Sequence, residues 1–277
     1  MEENRKANTA LDRIESEWND AYAAMLLDMI YFSTSPEIDG RMTRILEQAS
    51  EVNFRGDYDP FYRWLWSFDP GHHAEYAEFM AALYERIDPS FREYFDDRPT
   101  AVIRLDEVLW GGVSRDGIPP LVNPKMVSGR EASYLDGENI VFGVLVNGDA
   151  RAYPKRILAW HEMVKDKIGG RALTGVYCTL CGAMILYDSS FGGILHELGT
   201  SGFLYRSNKL MYDKATASLW STLTGEPVIG PLVGKGIELK TLPVVTTTWR
   251  EWKARHPAPY RLGVDSFRSV SRSCRNS

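Results

Sequence analysis

Cysteine is scarce in this chain, with three in 277 residues. That count excludes a disulfide framework, and a core drawn from 44% hydrophobic residues makes one unnecessary. Long apolar runs are also missing. None reaches the roughly 18 residues of a membrane-spanning helix, so no membrane span is expected. Met1-Glu2-Glu3-Asn4-Arg5-Lys6 has no apolar stretch behind its charges, which predicts no secretory leader and a cytoplasmic protein. Positive charge is not in excess: 32 Lys and Arg face 37 Asp and Glu, a net charge of -5, and no nucleic-acid partner is expected. There is no glycine-rich phosphate loop and no Gly-x-Ser-x-Gly turn, so nucleotide and serine-hydrolase chemistry lack support.

Aromatic residues are plentiful, with eight Trp and fourteen Tyr. In the first hundred residues they recur at helical spacing. Leu11, Ile14, Trp18, Tyr22, Met25, Met29 and Phe32 predict one long helix, and a second is expected over 41–52. Asp59-Pro60 opens an aromatic helix to Phe68, and Pro70-Gly71 breaks the chain. Tyr76 to Ile87 forms another stripe, and Asp88-Pro89 starts a short helix ending near Phe95. His72 and His73 are neighbours and read as surface residues. Asp96-Asp97-Arg98-Pro99 marks a boundary, after which short apolar runs alternate with Gly, Pro and Asn. The expectation is an α+β protein: an all-α helical domain over 1–97, then a mostly antiparallel β domain over 98–277, a partly closed barrel with one or two packed helices. The helical domain is a candidate surface for a protein partner. The tail after about residue 260, with Cys274, is expected to be disordered.

The chemistry concentrates at Cys178-Thr179-Leu180-Cys181-Gly182, set between apolar runs that read as strands. A turn of this kind points two sulfurs at one spot, which suits a metal or reversible disulfide chemistry. Pro154 predicts a helix through about Lys167, ended by Gly169-Gly170, with Ile157, His161, Val164 and Ile168 inward. His161 would then join the thiols as third ligand or proton carrier, and Glu162 would orient or assist. Three ligands, Cys178, Cys181 and His161, match a soft-metal site with one open position for Zn or Cu. His196 is a less favoured fourth ligand. A zinc-protease helix is excluded, because Lys165 stands where the second histidine belongs. Asn208, Tyr212, Asp213 and Trp220 are candidate contacts for an unidentified small molecule, and Arg206 and Lys209 for an anion. The same residues also fit a non-catalytic binding or scaffold protein in which the cysteines are structural and His161 is a core histidine.

Several phrases occur together in order: Asp116-Gly117-Ile118-Pro119-Pro120, Ala152-Tyr153-Pro154, Trp160-His161-Glu162, Tyr177-Cys178-Thr179-Leu180-Cys181-Gly182, Ser207-Asn208-Lys209-Leu210-Met211-Tyr212-Asp213 and Leu223-Thr224-Gly225-Glu226. Over roughly residues 101–257 the chain resembles the prokaryotic domain of unknown function 3179 family. The resemblance implies a pocket containing the cysteine pair and Trp160-His161-Glu162, and no activity. Relatives in that family often look exported, and usually carry proline after the first cysteine, where this chain has Thr179.

Overall fold

A computed structural model describes residues 2–67, 75–95, 99–129, 131–256 and 261–264, the last four as backbone. His72, His73, Pro70-Gly71, Asp96-Asp97-Arg98 and Cys274 lie outside the described residues.

Helices come first: α1 (Glu2–Ser16), α2 (Tyr22–Phe32), α3 (Pro36–Ser50), α4 (Asp59–Ser67) and α5 (Tyr76–Tyr84). A 3-10 turn over Pro89–Phe91 then runs into α6 (Arg92–Phe95). The single helix expected from Leu11 to Phe32 is two. The Asn19 side chain accepts from the Ala21 N–H at 2.9 Å, and Trp18 Nε1 donates to Asp20 at 2.9 Å. Such local side-chain bonds compete with the helical ladder and stop it.

The β region is mostly antiparallel and includes a curled half-barrel sheet, as expected for α+β. Its elements in order are β1 (Val108–Trp110), β2 (Leu121–Val122), β3 (Lys125–Ser128), β4 (Ile140–Val146), β5 (Asp149–Pro154), α7 (Lys155–His161), β6 (Met163–Ile168), β7 (Arg171–Cys178) and β8 (Ala183–Asp188). Then come β9 (Ser190–Phe191), β10 (Ile194–Leu195), β11 (Leu198–Tyr205), β12 (Asn208–Asp213), β13 (Leu219–Ser221), β14 (Pro227–Ile229), β15 (Thr241–Leu242), β16 (Val245–Thr248), α8 (Trp249–Arg255) and β17 (Arg261–Val264). Three five-stranded sheets result: an outer sheet β1-β11-β12-β13-β14, a middle sheet β15-β8-β7-β6-β2 and a far sheet β16-β4-β5-β17-β3.

Four apolar clusters show how these layers stack. The helices pack on the outer sheet through Leu27, Met80, Phe91, Phe203, Leu210 and Ile229, so the helical segment shares its core with a sheet. Leu198, Met211 and Trp220 of the outer sheet meet Met163, Val176 and Tyr187 of the middle one. The opposite face of the middle sheet meets Phe142, Val144 and Tyr153 of the far sheet, with α7 alongside. Trp249 and Trp252 of α8 cover the far sheet's other face. Gly143 lies under that helix, where an added Cβ would come within 2.1 Å of the Trp252 ring.

Two sequence expectations change here. The helix predicted from Pro154 to Lys167 ends at His161, because Glu162 adopts a left-handed conformation (φ 54°). Met163–Ile168 is a strand paired with β7, and Gly169-Gly170 is its hairpin turn. The middle sheet is covered on both faces, so β6 shows no clean alternation, and Val164 and Ile168 mimic helical spacing. The second change is at the C-terminal side. Arg261–Val264, in a stretch expected to be disordered, pairs parallel with β5 and antiparallel with β3. The Asn147-Gly148 turn and the Thr248 cap on Glu251 are where the sequence puts them.

Candidate functional site

Strand alternation aims the first thiol. In β7, Leu173 and Tyr177 face the far sheet, while Val176 faces the outer sheet. Cys178, two residues beyond Val176, therefore points the same way. Cys178 pairs with Ala183 across a four-residue loop, closed by the Gly182 N–H on the Cys178 carbonyl at 2.9 Å, and Gly182 supplies the positive φ (65°) the loop needs. The loop sets the two Sγ atoms 2.6 Å apart at the protein surface, both as free cysteines. The Cys181 N–H also points at Cys178 Sγ, at 3.2 Å.

Cys178 opens onto a cleft of about 230 Å³ between the middle and outer sheets. Cys178, Thr179, Leu180 and Glu162 line it together with Ile118 and with Thr200, Phe203, Leu204 and Lys209 of the outer sheet. The far wall depends on a break in the β11–β12 register between Thr200 and Leu204. Gly202 sits in it at φ 90°, with its missing Cβ only 2.6 Å from the Val113 carbonyl oxygen. A bulge of this kind re-aims a strand beside a site.

Glu162 is drawn into the cleft by the same left-handed turn that ends α7. Its N–H donates to Leu158 and its carbonyl accepts from Tyr177, at 2.7 and 2.8 Å. Its carboxylate accepts from Thr179 Oγ1 at 3.1 Å and makes a close ion pair with Lys209. Burial pulls the Lys209 ammonium below its ordinary range, and Glu162 offsets part of that. The neighbouring Cys178 pushes the Cys181 thiol up, so Cys181 holds its proton the more firmly.

The other predicted residues separate into two groups. Asn208 stands near the thiols, its Oδ1 3.9 Å from Cys181 Sγ. His161 Nδ1 lies 2.8 Å from the Pro119 carbonyl oxygen, which can only accept, so Nδ1 carries a proton there. Among the described residues no group of three or more His, Cys, Asp or Glu stands close enough to hold a metal ion. Tyr212 donates to Asp116 at 2.6 Å under the Arg115 guanidinium. Asp213 is buried, bonded to His196 Nδ1 at 2.9 Å and to the Ala215 and Thr216 N–H groups. Trp220 is fully buried with its ring centroid 5.1 Å from that of His196. These three hold the outer sheet together and do not line the cleft. Arg206 is paired with Glu107 at 2.5 and 2.9 Å. Sequence reasoning missed the bulge at Gly202 and the Glu162–Lys209 pair. A lone glycine in a strand pattern was the available signal for the first.

A family model described as Protein of unknown function (DUF3179) matches residues 115–269, more than half of the 277 residues. The chain belongs to this DUF3179 family. The match takes in both thiols, Glu162, Lys209 and strand β17. No curated protein and no solved structure matches the chain. Among the described residues no helix is long and apolar enough to cross a membrane.

Proposed function

We propose that Cys178 and Cys181 are the dithiol of a thiol–disulfide exchange centre. The observation that carries this reading is the surface hairpin that sets the two sulfurs 2.6 Å apart, with Cys178 lining a cleft. A shift of about half an ångström separates that spacing from the roughly 2.05 Å of a disulfide bond.

Cys178 is the attacking sulfur. It lines the cleft beside Lys209, whose ammonium favours a thiolate nearby, and it accepts the Cys181 N–H. In the reducing direction the Cys178 thiolate attacks one sulfur of a substrate disulfide, and the departing sulfur takes up a proton. Cys181 then loses its proton and attacks Cys178 Sγ. The second substrate sulfur leaves and is protonated. The substrate gains two electrons and two protons, and the protein is left with a Cys178–Cys181 disulfide. Leu180 is 76% exposed on the cleft rim and suits an apolar segment beside the substrate disulfide.

The test uses full-length protein in a Cys274→Ser background, so that the thiol count concerns the pair. Incubation with a small dialkyl disulfide should yield an internal disulfide, seen as loss of two hydrogens by intact mass. Cys181→Ser should accumulate a mixed disulfide on Cys178, and Cys178→Ser should lose most reactivity. Two thiols that never join, or single variants that react alike, would sink the proposal. Stoichiometric Zn or Cu in anaerobically purified protein, lost in Cys178→Ser, would replace it with a metal site built on the two thiols.

A further inference from the structure

A second, larger cleft of about 610 Å³ lies where the helices meet the edge of the outer sheet. It is within the size range of small-molecule sites. Its walls are aromatic: Tyr31 from α2, Tyr62 and Trp66 from α4, Tyr84 from α5 and Trp110 from β1. Among them stands Asp28, on α2 and only 5% exposed. Its Oδ2 accepts from Tyr76 Oη at 2.7 Å. At the rim are Asp57, Asp59 and Arg63, so the lining carries three carboxyl groups against one guanidinium.

This combination favours one ligand class. A carboxylate placed among rings is costly, because burial disfavours its charge. An asparagine would accept the Tyr76 hydrogen bond without that cost. Aromatic faces are negative and attract cations, and a carboxylate beside them adds a full charge of the same sense. An anion would meet repulsion from both. A neutral ring would gain the walls but give the acid nothing to do.

We propose that this cleft binds an organic cation of the amine or quaternary-ammonium class, its charged head over the rings beside the Asp28 carboxylate. The reading is independent of the thiol centre and survives if that one fails.

Ionisation of Asp28 couples binding to pH. Its pKa is raised to about 7 by burial, with Asp106 adding to the rise and the Tyr76 hydrogen bond opposing it. Tyr62, Tyr76 and Tyr84, the titratable groups facing it from α4 and α5, are all shifted upward and stay protonated through neutral pH. Asp106 is itself held by Arg104 at 2.6 Å. Affinity for a permanent cation therefore rises as pH passes through about 7.

The test compares choline with 3,3-dimethylbutan-1-ol, its uncharged isostere, on the full chain. Calorimetry and tryptophan fluorescence both report, since Trp66 and Trp110 line the cleft. Choline should bind saturably and at least about tenfold more tightly than the alcohol. Asp28→Asn should erase that preference and the pH dependence together. Trp66→Leu, at a partly exposed position, should weaken choline several-fold with Asp28 intact. Equal binding of the two probes, no saturable binding of choline or benzyltrimethylammonium, or an Asp28→Asn variant that keeps its preference would each overturn the proposal.

Discussion

The two clefts share one residue, Ser207, and differ in nearly everything else. Ser207 is half of a two-residue turn between β11 and β12, with φ 47° at Arg206 and 63° at Ser207. On one side of it, chemistry is displayed: two thiols at the tip of a hairpin, held by backbone turns at Glu162, Gly182 and Gly202. On the other side a charge is hidden, held by rings from four different elements. A reactive thiol must be reached, so it belongs at an edge where the loop fixes geometry without burying it. A carboxylate meant for a cation gains strength from burial, so it belongs behind walls.

If Asp28 is a buried acid, the largest effect will be on stability. Its pKa of about 7 lies well above the ordinary 3.8. Between those values the unfolded chain releases a proton that the folded chain keeps. Stability from this group is therefore fully present below about pH 4 and lost as pH rises to 7, at up to about 1.4 kcal/mol per pH unit. Urea unfolding should show Asp28→Asn free of this loss and more stable than the parent at pH 8, by a difference on the order of 4 kcal/mol. A variant that tracks the parent at every pH would show that Asp28 is solvated, and the contrast between the clefts would collapse.

Gly202→Ala strikes the other side. The new Cβ would lie 2.6 Å from the Val113 carbonyl and 2.9 Å from Phe91, at a φ of 90° that alanine rarely adopts. The expected cost is about 2–3 kcal/mol of stability, with slower thiol reactivity because the wall facing Cys178 must move. Choline binding should not change, since Gly202 does not line the aromatic cleft. Loss of both activities would mean the clefts are mechanically one.

The sequence exposed these regions unequally, for a physical reason. Thiols announce themselves by residue type and spacing, so Cys178 and Cys181 could be named and their hairpin placed between the correct strands. The α+β class followed from the change in apolar period near residue 97, but the core that the helices share with the outer sheet did not. The partners of the thiols were harder to see. His161 was aimed by a helix that ends early, because a strand covered on both faces imitates helical spacing. Glu162 matters through a left-handed turn that no residue-type rule demands of glutamate. The aromatic cleft was invisible. Its rings sit at ordinary core spacing along three helices, and they converge only when β1 and the Ser207 turn dock beside them. The one available signal was Asp28 itself, a lone charge in the apolar run Ala23 to Phe32.

Glu162→Gln is the smallest test and the most local. Burial lowers the Lys209 pKa, and the Glu162 carboxylate pushes it back up. Glutamine can still accept from Thr179, but it carries no charge to hold the ammonium. Lys209 should then lose its proton at a lower pH, and Cys178 should lose the positive neighbour that favours its thiolate. The expected result is a several-fold fall in Cys178 alkylation rate, confined to the pH range where the variant's Lys209 has lost its charge and the thiol is not yet fully ionised. Stability at neutral pH should fall, because Lys209 is left buried without its carboxylate partner, while choline binding should not change, since Glu162 is absent from the aromatic cleft. A rate profile that overlays the parent's would show that Lys209 does not act on the thiol, and Cys178 would owe its reactivity to the Cys181 N–H and the loop alone.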